Sequence, residues 1–253
     1  MLNYISAEWY KLRHTKGIFI AFGVLLVLIS FFFIPALWIQ RPTFGVYAGA
    51  YIVTLVLGFF LAPVFAVRAF DDQYGRGTMK NEVVFGIPRR RIYLGKLAFG
   101  ALTGTGVAFL VLGFYLLLCI LSGGLAEENA LLCIDLCIQA TLLVLPLWLA
   151  SLSLAFCLQA VVKSSGGAVA INYLFLIFGT PIALMGYDEP TASHLLNFFT
   201  RWFFVAPFRN LYDGLDLGWN GLSGMTYSWL VGLGWVLVTT LMGLAVFSRR
   251  EIN

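Results

Sequence analysis

An all-α integral membrane protein with six transmembrane helices is the fold class this sequence predicts, on three observations. Of its 253 residues, 60% are hydrophobic and only 11% charged, whereas a soluble domain carries roughly 25% charged residues; mean hydropathy is +0.90. The charges are clustered, which leaves uncharged stretches at 17–39, 42–67, 97–126, 136–162, 164–187 and 217–248, each longer than the roughly 20 residues that cross a hydrocarbon core. None shows the polar–apolar alternation of barrel strands, and in lipid only helices or closed barrels satisfy their own backbone. The expected spans are about 17–39, 46–67, 97–121, 137–162, 166–186 and 225–247, within a single transmembrane domain, 1–253.

The elements follow in chain order. Over residues 2–14, Leu2, Ile5, Trp9 and Leu12 fall within about 80° on a helical wheel, which predicts a helix lying in the membrane interface. Trp9, Lys11 and Arg13 serve as its headgroup anchors. A basic stretch before span one also opens secretory signals, but the span is too long and lacks a small-residue cleavage site, so it is expected to stay. Between spans two and three, residues 68–96 hold ten of the 28 charged residues. There Gly75 and Gly77 loosen the chain, Thr78 can cap a short helix through Phe85, and Gly86 with Pro88 stops it. Met79 and Val83 share one face of that helix while Lys80 and Glu82 point elsewhere, a small apolar patch suited to a partner. In span three, Gly100 and Gly104 form a small-xxx-small pair that favours close packing. A short loop surrounds Lys163. On the other side, residues 188–224 are dense in aromatics, with Phe199, Trp202, Phe203 and Phe208 around Arg201 and Arg209. Their uncharged runs are too short to span, which predicts a re-entrant or interfacial outer segment before span six.

Thirteen of the sixteen Lys and Arg residues fall on one side of this arrangement, leaving Arg41, Arg201 and Arg209 on the other. The positive-inside bias then puts both termini in the cytoplasm. The basic groups sit where topology demands them, so the positive balance argues for no nucleic-acid partner.

The six expected spans contain no ionisable carboxylate, histidine, lysine or arginine, whereas intramembrane enzymes and ion-coupled carriers place such groups in the bilayer despite their cost. The histidines, His14 and His194, lie outside the spans, and no metal-ligand set accompanies Cys119, Cys133, Cys137 and Cys157; these cysteines read as apolar packing. Gly221, Leu222, Ser223 and Gly224 spell the G-x-S-G of an intramembrane serine protease, but no histidine follows to act as base. Glu127 and Glu128 resemble the acidic pair of a membrane metalloprotease without its histidine ligands. No G-x-x-x-x-G-K-S/T phosphate loop occurs, so if ATP drives this protein another chain binds it.

The interfacial N-terminal helix, six spans, structured inner loop and aromatic outer connection together resemble the type-2 exporter permeases of ATP-binding-cassette (ABC) transporters, over nearly the whole chain. The most specific part is Asp71 to Lys96: Gly77 and Thr78 opening a short helix, the turn of Pro88 with Arg89, Arg90 and Arg91, then Ile92 to Lys96 entering the membrane. The resemblance implies that the inner loop is a cytoplasmic coupling helix seated in a cleft of the ATPase. Gly77, Thr78, Met79, Lys80, Glu82, Val83 and Phe85 would then transmit ATPase closure, flanked by Asp71, Arg89 and Arg90. Many members of the family carry a serine where this chain has Arg89. The resemblance further implies two ATPase subunits carrying ATP and Mg, a second permease subunit, identical or related, and no cofactor on this chain. The small size is similar to bacterial plasma-membrane permeases of the lantibiotic-immunity and bacitracin-resistance branches, with an amphipathic substrate: a peptide antibiotic, a lipid or a drug. The alternatives are an intramembrane hydrolase at Ser223 or the glutamate pair, and a non-transporting membrane sensor or scaffold.

Overall fold

The computed structural model describes residues 7, 9–10, 16–38, 49–61, 64, 66, 86–121, 130–162, 164–185, 198, 200–211 and 223–249. Among them there is no strand. The helices are α1 (Lys16–Trp38), α2 (Gly49–Leu61), α3 (Arg89–Leu121), α4 (Ala130–Val161), α5 (Ser165–Met185) and α6 (Gly224–Arg249), with a 3₁₀ turn at Ala206–Leu211 between α5 and α6. Three stretches, Arg89–Leu121, Ile134–Val161 and Gly224–Arg249, are long and apolar enough to cross a membrane. Phe22–Phe31, Gly49–Leu61 and Ser165–Pro181 are shorter apolar helical stretches.

Two helices extend beyond the uncharged stretches that mark them in sequence. Helix α3 starts at Arg89 rather than near residue 97, because the turn before it is built to start a helix. Gly86 adopts a left-handed φ of +80°, and the Pro88 carbonyl accepts the Arg91 and Ile92 amides at 2.8 and 3.2 Å. Pro88 itself has no amide to leave unpaired. The added turns bury Ile92 and Tyr93 with Leu152, Ala155, Phe156 and Phe247 in a small cluster at this end of the bundle. A charge limits how far hydrocarbon extends, not how far a helix can run. Helix α4 likewise begins before residue 137, carrying an exposed Asp135 that accepts the Gln139 amide one turn on, at 2.6 Å.

Helix α4 is the central element. In its most apolar stretch 67% of residues are buried, against 28% for α3 and for α6, and its contact with α6 is extensive. Small residues make that contact close. A Cβ on Gly232 would lie 2.7 Å from the Pro146 backbone and ring, so α6 rests directly on the proline in α4. The Ser228 hydroxyl donates to the Leu143 carbonyl, next to the Leu142 carbonyl that Pro146 leaves without its helical amide. The Ser153 and Thr239 hydroxyls pair at 2.8 Å.

Helix α2 meets α4 by the same means. The Trp148 indole overlies Gly58 so closely that a Cβ there would overlap it, and its Nε1–H donates to the Leu55 carbonyl at 3.0 Å. The Ser151 hydroxyl reaches the Phe59 carbonyl at 3.4 Å. Tyr51 and Thr141 share a hydroxyl hydrogen bond of 2.5 Å. The expected close packing at the Gly100 and Gly104 pair is met at one position only. A Cβ on Gly100 would come within 3.2 Å of Phe156, whereas among the described residues nothing lies within 4 Å of one at Gly104.

Candidate functional site

Two regions at opposite ends of the bundle carry the chemistry. At the basic end, the first turns of α3 meet the last turn of α6. Arg89 Nη1 donates to the Ser248 carbonyl at 3.3 Å, placing a guanidinium at a helix C-terminus, where unpaired carbonyls and the helix dipole favour a cation. One turn on, Tyr93 packs beside Phe247 at 5.7 Å between ring centroids and lies over Gly243, where any Cβ would overlap the phenol. Arg90, Arg91 and Arg249 are exposed around this joint, and Lys96 is buried. Trp9 is half exposed and sets its ring edge-on to Phe99 at 6.4 Å, about 15 Å along α3 from Arg89. Of the residues singled out in sequence, Arg89 and Arg90 lie at this joint, and Trp9 packs further along α3. Lys11, Arg13, Asp71, Gly77, Thr78, Met79, Lys80, Glu82, Val83 and Phe85 lie outside the described residues.

At the other end, part of the aromatic segment before α6 is buried. Phe203, Phe204 and Phe208 are almost fully buried. Phe203 lies 5.1 Å from Phe175 of α5, Phe204 lies 5.6 Å from Trp235 of α6, and Phe208 lies 5.9 Å from Phe59 of α2. Gly179 of α5 makes the room, since a Cβ there would come within 2.6 Å of the Phe203 ring. The backbone turns tightly, with Ala206 donating to the Phe203 carbonyl at 2.8 Å and Phe208 to that of Val205 at 2.9 Å. Two α6 side chains hold the segment: the Tyr227 hydroxyl donates to the Arg201 carbonyl and Trp235 Nε1–H to that of Trp202 at 2.6 Å. At 1.5 Å per residue, Trp235 lies about 16 Å along α6 from Gly224, so the segment enters the bundle well past the helix end. Trp202 is partly buried, and Phe199 lies outside the described residues.

Two hollows accompany these regions. A narrow one of about 40 Å³ lies among α1 to α4, between Thr54, Gly58, Gly104, Thr105 and Trp148. Its hydroxyls are engaged internally, Thr54 with the Ala50 carbonyl at 3.0 Å and Thr105 with that of Ala101 at 2.8 Å. A wider one of about 360 Å³ lies between Phe198, Trp202 and Phe203 and the Leu230, Gly234 and Trp235 face of α6.

The motif-like serine has a structural role. Ser223 accepts the Thr226 amide at 3.3 Å and pairs with its hydroxyl at 2.8 Å, the bonding of an N-cap on α6. Glu127, Glu128 and His194 lie outside the described residues. Cys119, Cys137 and Cys157 are buried, and among the described residues no group of three His, Cys, Asp or Glu is placed to hold a metal.

A family model described as "ABC-2 family transporter protein" matches residues 4–179. No curated protein matches the chain. The match covers well over half of the sequence and includes α1 to α4, the segment between α2 and α3, and most of α5. With its apolar helices, the chain is a multi-pass membrane protein and belongs to the ABC-2 family of transporter proteins.

Proposed function

We propose that this chain is the permease subunit of an ABC exporter, with six spans, both termini in the cytoplasm of a bacterial cell, and no bond chemistry of its own. Family membership implies an associated ABC ATPase subunit. In this reading two such subunits bind ATP and Mg and engage the loop around Gly77 to Phe85, and a second permease copy or relative completes the pathway. The cargo is an amphiphile: a peptide antibiotic, as in the self-protection permeases of similar size, a lipid or a drug.

The observation that carries the reading is the joint between α3 and α6. A coupling loop transmits force only if its exit is stiff, and here the chain passes from Gly86 through Pro88 directly into α3. The first turn of α3 is tied to the end of α6 by Arg89 and Tyr93. Displacing the loop therefore displaces α3 and α6 together, and α6 carries the Tyr227 and Trp235 bonds that hold the aromatic segment. That supports a re-entrant plug at the outer end which the same helix can move, a two-state element of the kind access switching needs.

The test is uncoupling. Met79→Asp and Val83→Asp should leave the assembled complex intact in membranes and reduce cargo-stimulated ATP hydrolysis and export together by an order of magnitude, as for loss of one strong coupling contact. Full export in both variants would overturn the assignment of the loop.

A further inference from the structure

The wider hollow beside the aromatic segment has walls of one chemical kind. Phe198, Trp202 and Phe203 face Leu230, Gly234 and Trp235 across it, and among the described residues no charged side chain lines it. The indole N–H of Trp235 is already given to the Trp202 carbonyl, so on that wall the ring offers its face and edge. A charged headgroup entering here would lose its water and meet no opposite charge among the lining residues described. An aliphatic chain or an apolar ring would lose nothing and gain contact with aromatic surface. Its volume of about 360 Å³ is within the range of small-molecule sites, roughly 300–1,000 Å³.

Two further observations single the hollow out from an ordinary lipid-facing surface. First, its mouth is lateral: Phe198, Leu230 and Val238 at its rim are 63%, 46% and 50% exposed, so on a spanning helix the opening is to hydrocarbon rather than to water. Second, Gly234 is open where its neighbours in the helix are packed. Gly232 and Gly243 are held against Pro146 and Tyr93, whereas among the described residues a Cβ on Gly234 would meet nothing within 4 Å. Its missing side chain deepens the hollow. Phe203 and Trp235, 6.2 Å apart, belong both to the hollow's wall and to the buried plug, so an occupant touches the element that closes the bundle.

We propose that this hollow binds the apolar chain or ring of a membrane-dissolved amphiphile, beside the plug and in the half of the membrane nearer Gly224. That the occupant is cargo on its way out rests on the export reading above; its apolar, laterally entering character does not. Two probes are used on the full chain in lipid nanodiscs. One is a phospholipid carrying a diazirine on its acyl chain; the other is a trace long-chain alkylammonium with a diazirine in the chain. After photolysis, peptides containing Trp202 and Gly234 should carry at least about threefold more label than the α1 surface at Ile20, Val24 and Val27, which is also exposed. Labelling by the phospholipid alone identifies a resident lipid, and labelling by the alkylammonium identifies a cargo-like guest; either supports the site. Gly234→Leu should fill the hollow and bring its labelling down to the α1 level. Gly234→Ala should keep most of it, and unchanged α1 labelling reports an intact fold. Labelling no higher than on α1 with both probes, or undiminished in Gly234→Leu, would overturn the proposal. Neither result depends on an ATPase, so failure of the export reading shows separately, as absence of an ATPase from the purified complex.

Discussion

Glycine makes several of the close helix contacts in this protein, each against one side chain or turn far away in sequence. Gly243 exists for Tyr93, Gly58 for Trp148 and Gly179 for Phe203. Gly243→Ala should force the phenol aside and destabilise the protein by about 1–3 kcal/mol, the usual cost of overpacking. Its thermal midpoint in detergent should fall, and Tyr93→Leu in the same chain should recover part of the loss. Ser223→Ala should lose the cap on α6, at about 1 kcal/mol, and leave export intact. Abolished export in a folded Ser223→Ala protein would revive the hydrolase reading. None of these pairings was legible in sequence: a helical glycine looks the same whether it faces a tryptophan or open space, as Gly100 and Gly104 illustrate. Ser223 drew attention as part of a G-x-S-G string, and the capping signal was equally present in its position before an apolar run.

At the scale of elements, the helical class was legible because lipid leaves the backbone few choices, and the uncharged runs report where it applies. Less legible was where helices begin. Pro88 followed by three arginines reads as the end of a loop, yet the proline starts a helix whose next turns bury Ile92, Tyr93 and Lys96. The aromatic density around Trp202 and Phe203 signalled an unusual connection, but burial of Phe203, Phe204 and Phe208 depends on Gly179 and Trp235 in other helices. The joint between α3 and α6 makes a prediction at this scale. Arg89→Ala removes a charge-assisted hydrogen bond to the α6 terminus, about 1.5–3 kcal/mol when desolvated and less where water reaches it. It should weaken coupling more than folding: ATP hydrolysis by the assembled complex should persist while export per ATP falls several-fold, and Arg89→Lys should restore part of it.

Across the whole molecule, α4 is a fixed spine and the two ends of α6 are its working points. Pro146 and Gly232 let α6 lie directly on α4; one end of α6 receives Arg89 and Tyr93, and further along it carries the bonds to the aromatic segment. Force entering at the basic end thus has a continuous packed route to the plug, with hydroxyl pairs such as Ser153 and Thr239 as its intermediate contacts. In the proposed reading, work enters through the loop that leads into Arg89, supplied by a nucleotide-hydrolysing partner. Photo-crosslinkers placed singly at Met79 and Val83 in the complex purified from membranes should join this chain to an ABC ATPase, with the yield changing between the nucleotide-free and ATP-bound states. Crosslinks to no such subunit, or labelling of those positions only from the outside of the cell, would contradict it.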